Sequence, residues 1–365
     1  MPFIIGPGSS YFSLSFSNRA GFGRGVALCG CTLAVAAYNA GLGGAVYIFR
    51  FDDLAFSNPR LVREIIAPSH RCDFGFGLAL SETRLAIAHY GTGPETSAVS
   101  LYSYCDADLA DLALETTIGG MADVNYPLRD VFDISLRGDV LAISETIGCD
   151  SPQRGAVHLF RHCGEAVERM YSFRPGAVAR KDVNLVVRPE RAFGHSVSLG
   201  HRMIAIGDDK HGGAAETDNK YGGVHIWRFD NDDYERPQYS QVIGVDHPSL
   251  ALRKDDFLGA SCEIDGDRLW VGAPGDDGAA GTDGYGAVYG FDIPPSGPFA
   301  LATSIGMAKS IPVSLGQYDR FGYALAADCG RLAVGCPQND AEVPQSGRVY
   351  LYPASELPQE PVTSA

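Results

Sequence analysis

Between residues 208 and 340 the chain sets Asp208, Asp209, Asp218, Asp276, Asp277, Asp283, Asn339 and Asp340 among glycines and beside Tyr221 and Tyr285. Grouped carboxylates attract a cation or a basic partner. Asp beside Gly also closes turns, by accepting hydrogen bonds from nearby amides. A second group has the opposite sign: the segment 174–191 carries Arg174, Arg180, Lys181, Arg188 and Arg191 against only Asp182 and Glu190, in a chain of net charge −15. Such a segment docks a carboxylate, a phosphate or an acidic surface, or else stays a solvated loop. On one face, the two groups would orient a dipolar partner better than either alone.

The elements that must position these residues come from a repeat. Leu-Ala-Val or a close relative begins at Leu33, Leu85, Leu141, Ile204, Leu269 and Leu332, so the chain is six copies of one unit. Eleven residues upstream of each stands Phe22-Gly23, Phe74-Gly75, Asp130-Val131, Phe193-Gly194, Leu258-Gly259 or Phe321-Gly322. A third strand signal ends in Val46, Val99, Val157, Val224, Val288 and Val349, and a fourth follows near Ile66, Ile118, Phe173, Ile243 and Ile305. The last copy lacks its fourth strand, and Pro2-Phe3-Ile4-Ile5-Gly6 supplies one at the other end. The expected fold is an all-β, six-bladed propeller of four-stranded antiparallel blades. They start near residues 22, 74, 130, 193, 258 and 321 of one domain spanning 1–365, and residues 2–6 complete blade six.

Apolar alternation such as Val26/Leu28 and Val197/Leu199 reads as strand, and the turn between strands one and two is two residues long. Counting outward from that turn pairs Ala27 with Ala34, Ala79 with Ala86, Ser135 with Ala142, Ser198 with Ala205 and Ala326 with Ala333. Small faces small where sheets crowd the centre of a ring. Blade five departs, with Glu263 opposite Trp270. A buried carboxylate must be paired, hydrated or exposed in the central channel, so this pair marks either a gap filled by the indole or a channel residue.

Phe-Gly at the start of strand one and Gly272-Ala273-Pro274 after strand two resemble the FG-GAP repeat of integrin α-subunit propellers, most closely over residues 257–292. The resemblance covers nearly the whole chain. It implies a propeller whose ligand-facing side carries the long loops, serving adhesion, glycan binding or scaffolding. Integrin propellers have seven repeats, and six are present here. Their calcium loops lie between strands one and two, where a two-residue turn leaves no room, so no metal or other cofactor is expected.

The long loops joining strands two and three emerge on the same face as the connections between blades. That face is expected to bind a protein partner without catalysis, with a glycan-binding propeller as the alternative. A hydrolase or lyase would set carboxylates and His around the channel mouth, for which Glu145, Asp208, Asp276 and Glu263 are available. No Gly-x-Ser-x-Gly, His-Glu-x-x-His or phosphate loop occurs, so no catalytic residue is assigned. The acidic charge argues against nucleic acid and anionic membranes, and no apolar run of bilayer length appears. The N-terminus has no basic region followed by an apolar core, and the nine cysteines show no zinc spacing. Both point to a reducing, cytoplasmic location, whereas the FG-GAP resemblance leans extracellular.

Overall fold

The computed structural model describes residues 2–6, 20–41, 43–67, 73–89, 97–119, 128, 130–146, 155–163, 166–174, 182–184, 192–213, 219–278, 284–339 and 346–358. These form six antiparallel sheets of four strands in sequence order, a six-bladed propeller. Blade one runs Phe22–Cys29, Thr32–Ala37, Ala45–Arg50 and Arg60–Ile66, and the later blades repeat it. Blades three and five add a short parallel strand outside the fourth, Asp182–Asn184 and Ile311–Pro312. Among the described residues no helix is long and apolar enough to cross a membrane.

Blade six closes the ring. Its three C-terminal strands, Ala324–Asp328, Arg331–Cys336 and Arg348–Tyr352, receive Phe3–Ile5 as the fourth, with Phe3 opposite Leu351 and Ile5 opposite Val349. The small pairs face each other as expected, Ala27 with Ala34, Ser135 with Ala142, Ser198 with Ala205 and Ala326 with Ala333, and Glu263 faces Trp270. Tight turns hold that register. Gly30, Gly138 and Gly266 at the first turn position have φ of 52°, 60° and 57°, a left-handed conformation that glycine adopts without steric cost.

The apolar core is divided into six wedges, one at each blade boundary. Phe22, Tyr47 and Phe49 of blade one pack on Ala326, Val349 and Leu351 of blade six, and Phe173 and Phe193 meet Trp227 between blades three and four. Each blade therefore buries its apolar surface only against its neighbours, which is why the unit must repeat and the ring must close.

The signature glycines sit where neighbouring blades touch. Gly23, Gly75, Gly194, Gly259 and Gly322 of the Phe-Gly positions all have φ between 85° and 88°. A Cβ on Gly272, the first residue of Gly-Ala-Pro, would stand 2.0 Å from the carbonyl oxygen of Gly322 in the next blade. The motif is thus a close approach of two backbones, and any side chain there would force the blades apart.

Candidate functional site

In blades one, three and four the pairing of strand one with strand two shifts register just after the motif, between Phe22 and Val26, Val131 and Ile134, and Phe193 and Ser196. Such a bulge re-aims side chains. The residue following the Phe-Gly position lines the axial cavity in every blade: Arg24, Phe76, Phe132, His195, Ala260 and Tyr323. Strand one starts on the long-loop face, so this ring of six forms the mouth of the channel there.

Arg24 is the centre of the ring. Its guanidinium carbon lies 3.7 Å from the ring centroid of Phe76 and 4.1 Å from that of Tyr323, with Phe132 at 5.5 Å and Tyr38 at 6.0 Å. Cation–π contacts at these distances are attractive and stronger where water is displaced. Phe132 continues the cluster edge-on to Phe76 at 4.6 Å and tilted to His195 at 4.2 Å. His195 donates through Nδ1–H to the Ala260 carbonyl at 2.9 Å and turns Nε2 toward Asp209 Oδ2 at 3.5 Å. Burial lowers the His195 pKa, and Asp209 opposes that shift. Burial also lowers the Arg24 pKa, opposed by Tyr323, Tyr38, Asp73 and Asp133. Among the described residues the half-buried guanidinium makes no hydrogen bond or ion pair. Its rings attract the charge and leave its N–H donors unused, a disposition suited to receiving an anion.

The axial cavity that these residues line holds about 80 Å³, room for several waters and well short of a pocket for a drug-sized ligand. Two carboxylates line it. Asp133 accepts from the backbone N–H of Ile134 and of Val197 in the next blade, both at 2.9 Å. Burial nevertheless pushes its carboxyl up to about 7 against those donors and Arg24. Glu263 is held well above the usual carboxylate range by burial first and by Asp133 second, while Ser198 opposes. Ser135 and Ser198 tie blade to blade, accepting from the Leu199 and Ile264 amides at 3.0 and 2.9 Å. Trp270, opposite Glu263, packs among Val288, Leu325 and Leu332, and Gly290 makes room for the indole.

The acidic residues singled out in the sequence are separated by the fold. Among those that lie in the described residues, Asp209 alone reaches the mouth, through His195. Asp276 is buried in blade five, where its carboxylate takes the Gly278 amide at 2.8 Å, the Tyr289 hydroxyl at 2.5 Å and the Lys309 ammonium at 2.9 Å. Asp277 accepts from the Gly284 amide at 2.7 Å, and Asn339 is buried with its amide on Asp319 at 2.7 Å. Tyr285 is half-buried against the wedge between blades five and six. Asp208 is buried in blade four. Arg174, half-buried, ends strand four of blade three opposite Asn184. Arg180, Lys181, Arg188, Arg191, Asp218, Asp283 and Asp340 lie outside the described residues.

Sequence reasoning passed over the mouth itself. Two tryptophans and an aromatic content of 10% argue against an aromatic cage repeated in every blade. The ring is instead assembled once, from one Arg, two Phe, one His, one Ala and one Tyr. Its signal was the position after Phe-Gly, read down the aligned copies.

No protein-family model matches the chain, and no curated protein matches it. Solved structures do. One is the structure of a neuraminidase-like protein from A/bat/Guatemala/164/2009, 11% identical, with a TM-score of 0.51 over 98% of this chain and 95% of that one. At that identity the likeness is one of fold, a six-bladed β-propeller.

Proposed function

We propose that this chain is a non-catalytic binding propeller that engages a protein partner through its long-loop face, with a partner carboxylate received by Arg24 at the centre. The observation that carries this reading is the half-buried guanidinium between Phe76 and Tyr323, which makes no hydrogen bond or ion pair among the described residues. Apolar side chains on the same face supply contact area around it: Ile66, which ends strand four of blade one, is 70% exposed, and Tyr318, in the connection from blade five to six, is 55% exposed. An apolar surround that excludes water strengthens a central charged contact. The sequence-based expectation that Arg180, Lys181 and Arg188 serve this face, and the ligand-facing side that the FG-GAP resemblance implies, agree with this reading.

An acidic sugar is a second reading, favoured by the same guanidinium and by the fold shared with a neuraminidase-like protein. The small volume of the axial cavity speaks against a sugar entering it, and a surface-bound sugar would rest on Arg24 alone. Immobilised protein should capture a partner from native lysate. Capture should be lost with Arg24→Ala or with Arg180→Glu/Lys181→Glu/Arg188→Glu, and kept with Leu54→Asp on the opposite face. Capture unchanged in the Arg24 and the triple variants would refute the protein-binding reading. Binding of sialic-acid-type glycans, abolished in Arg24→Ala, would establish the sugar reading instead, and turnover of a fluorogenic sialoside would make the chain an enzyme.

A further inference from the structure

Blade four holds a second arrangement, distinct from the channel. Strand two ends at Asp208, the following loop carries His211, and strand three carries His225. One ligand atom from each, a carboxylate oxygen and two imidazole nitrogens, lies within 4.8 Å of the others, and all three residues are buried. Bonds of about 2.0–2.1 Å around a tetrahedral ion would place such atoms about 3.3 Å apart, so an ion would draw them together by at most about 1.5 Å. His225 Nε2 stands 4.0 Å from Asp208 Oδ2, beyond hydrogen-bond reach. The His225 side chain is 2% exposed, and that nitrogen has no hydrogen-bond partner among the described residues. A buried, unsatisfied ring nitrogen costs free energy unless something answers it.

We propose that Asp208, His211 and His225 bind a borderline divalent transition-metal ion of the zinc class. Two imidazoles and one carboxylate suit such an ion, while calcium and magnesium prefer oxygen throughout. The backbone holds the second histidine in place: His211 N–H donates to the Asp208 carbonyl at 3.1 Å, and the His211 carbonyl accepts from Gly222 at 3.0 Å. Room for its ring comes from glycine, since a Cβ on Gly223 would stand 3.2 Å from His211 Cδ2. Phe193, Trp227 and Tyr239 surround His225, with centroids 5.7 to 6.2 Å away, an apolar shell that limits water. The ion would pin the start of a long loop to two strands, a structural staple on the partner-facing side of the ring. The assignment of the ion site does not rest on the reading of the channel mouth.

The test uses full-length protein stripped with chelator and then given Zn²⁺ or Co²⁺. One ion per chain should bind and raise the melting temperature. X-ray absorption of the zinc form should show nitrogen and oxygen ligands with no sulfur. His225→Gln and His211→Asn, shown by circular dichroism to fold in chelator, should each bind more than about tenfold more weakly. No uptake by the wild-type protein, sulfur in the coordination shell, or full affinity in both variants would overturn the assignment. The first and second of these outcomes are read on unaltered protein, so they stand even where a variant fails to fold.

Discussion

Replacing Arg24 with Ala should destabilise the ring by an amount that grows with pH. The stacking loss comes from two close rings, at 3.7 and 4.1 Å. At about 0.5–2 kcal/mol each, reduced by relief of the cation's own burial, they amount to about 1–2 kcal/mol at any pH. The pH-dependent part comes from Asp133, whose carboxyl burial raises to about 7 while Arg24 pulls it down. A carboxyl raised in the folded state binds protons that the unfolded chain has already released, so its contribution to stability is greatest in acid and fades as pH climbs from about 4 to 7. Without Arg24 the Asp133 pKa rises further, and the penalty extends into the alkaline range. At pH 5.5 both forms of the site are mostly protonated and the variant loses only the stacking. At pH 8.5 it also loses the support of the carboxylate, an added cost of at most about 1.4 kcal/mol for each unit by which the Asp133 pKa rises. Urea unfolding followed by the fluorescence of Trp227 and Trp270 at the two pH values measures the difference. An equal cost at both pH values, or a larger one in acid, would refute the coupling of Arg24 to Asp133, as would an unchanged trend in an Asp133→Asn background.

Two further substitutions examine what holds the ring together. Ile5, fully buried where the N-terminal strand meets blades six and one, should cost about 2–4 kcal/mol as Ile5→Ala, seen as a lower urea midpoint; a loss below about 1 kcal/mol would mean that this strand does not close the ring in solution. Ser198→Ala removes the acceptor of the Ile264 amide between blades four and five and should cost about 1–3 kcal/mol, with faster hydrogen exchange at that amide; exchange as slow as in the wild type would show that another group serves it.

The fold was legible because every blade must solve the same packing problem. Phe-Gly, the two-residue turn and the small-facing-small pairs recur since each blade meets its neighbour at the same depth, and repetition made them visible through low overall similarity. The channel mouth was illegible for the converse reason. Arg24, Phe76, Phe132, His195, Ala260 and Tyr323 share a position and no chemistry, so alignment marks the place while hiding its content. Asp276 illustrates a different limit. Its neighbours in the chain are turn residues, which suggested an exposed loop, but its partners Tyr289 and Lys309 arrive from strand three and from beyond strand four. A carboxylate with an ammonium and a phenol at hydrogen-bonding distance is buried at little cost, and no local pattern announces that. Asp133 was passed over because it sits where other blades have Gly25 and Gly77, a substitution that matters only once Val197 of the next blade is placed beside it.

Asp208 and Asp209 show how one strand end can serve two sites. Consecutive residues leaving a strand point to opposite sides, and here Asp209 faces His195 at the channel mouth while Asp208 faces His211 and His225 inside blade four. A metal ion on Asp208 would therefore fix the backbone that presents Asp209, and through His195 and Phe132 the aromatic ring around Arg24. The pairing is mechanical, since Asp208 ends a strand that is hydrogen-bonded on both sides and Asp209 is the next residue in the chain. A partner docking at the mouth and an ion in the blade would then favour the same placement of one loop, and each would bind more tightly in the presence of the other by an equal factor.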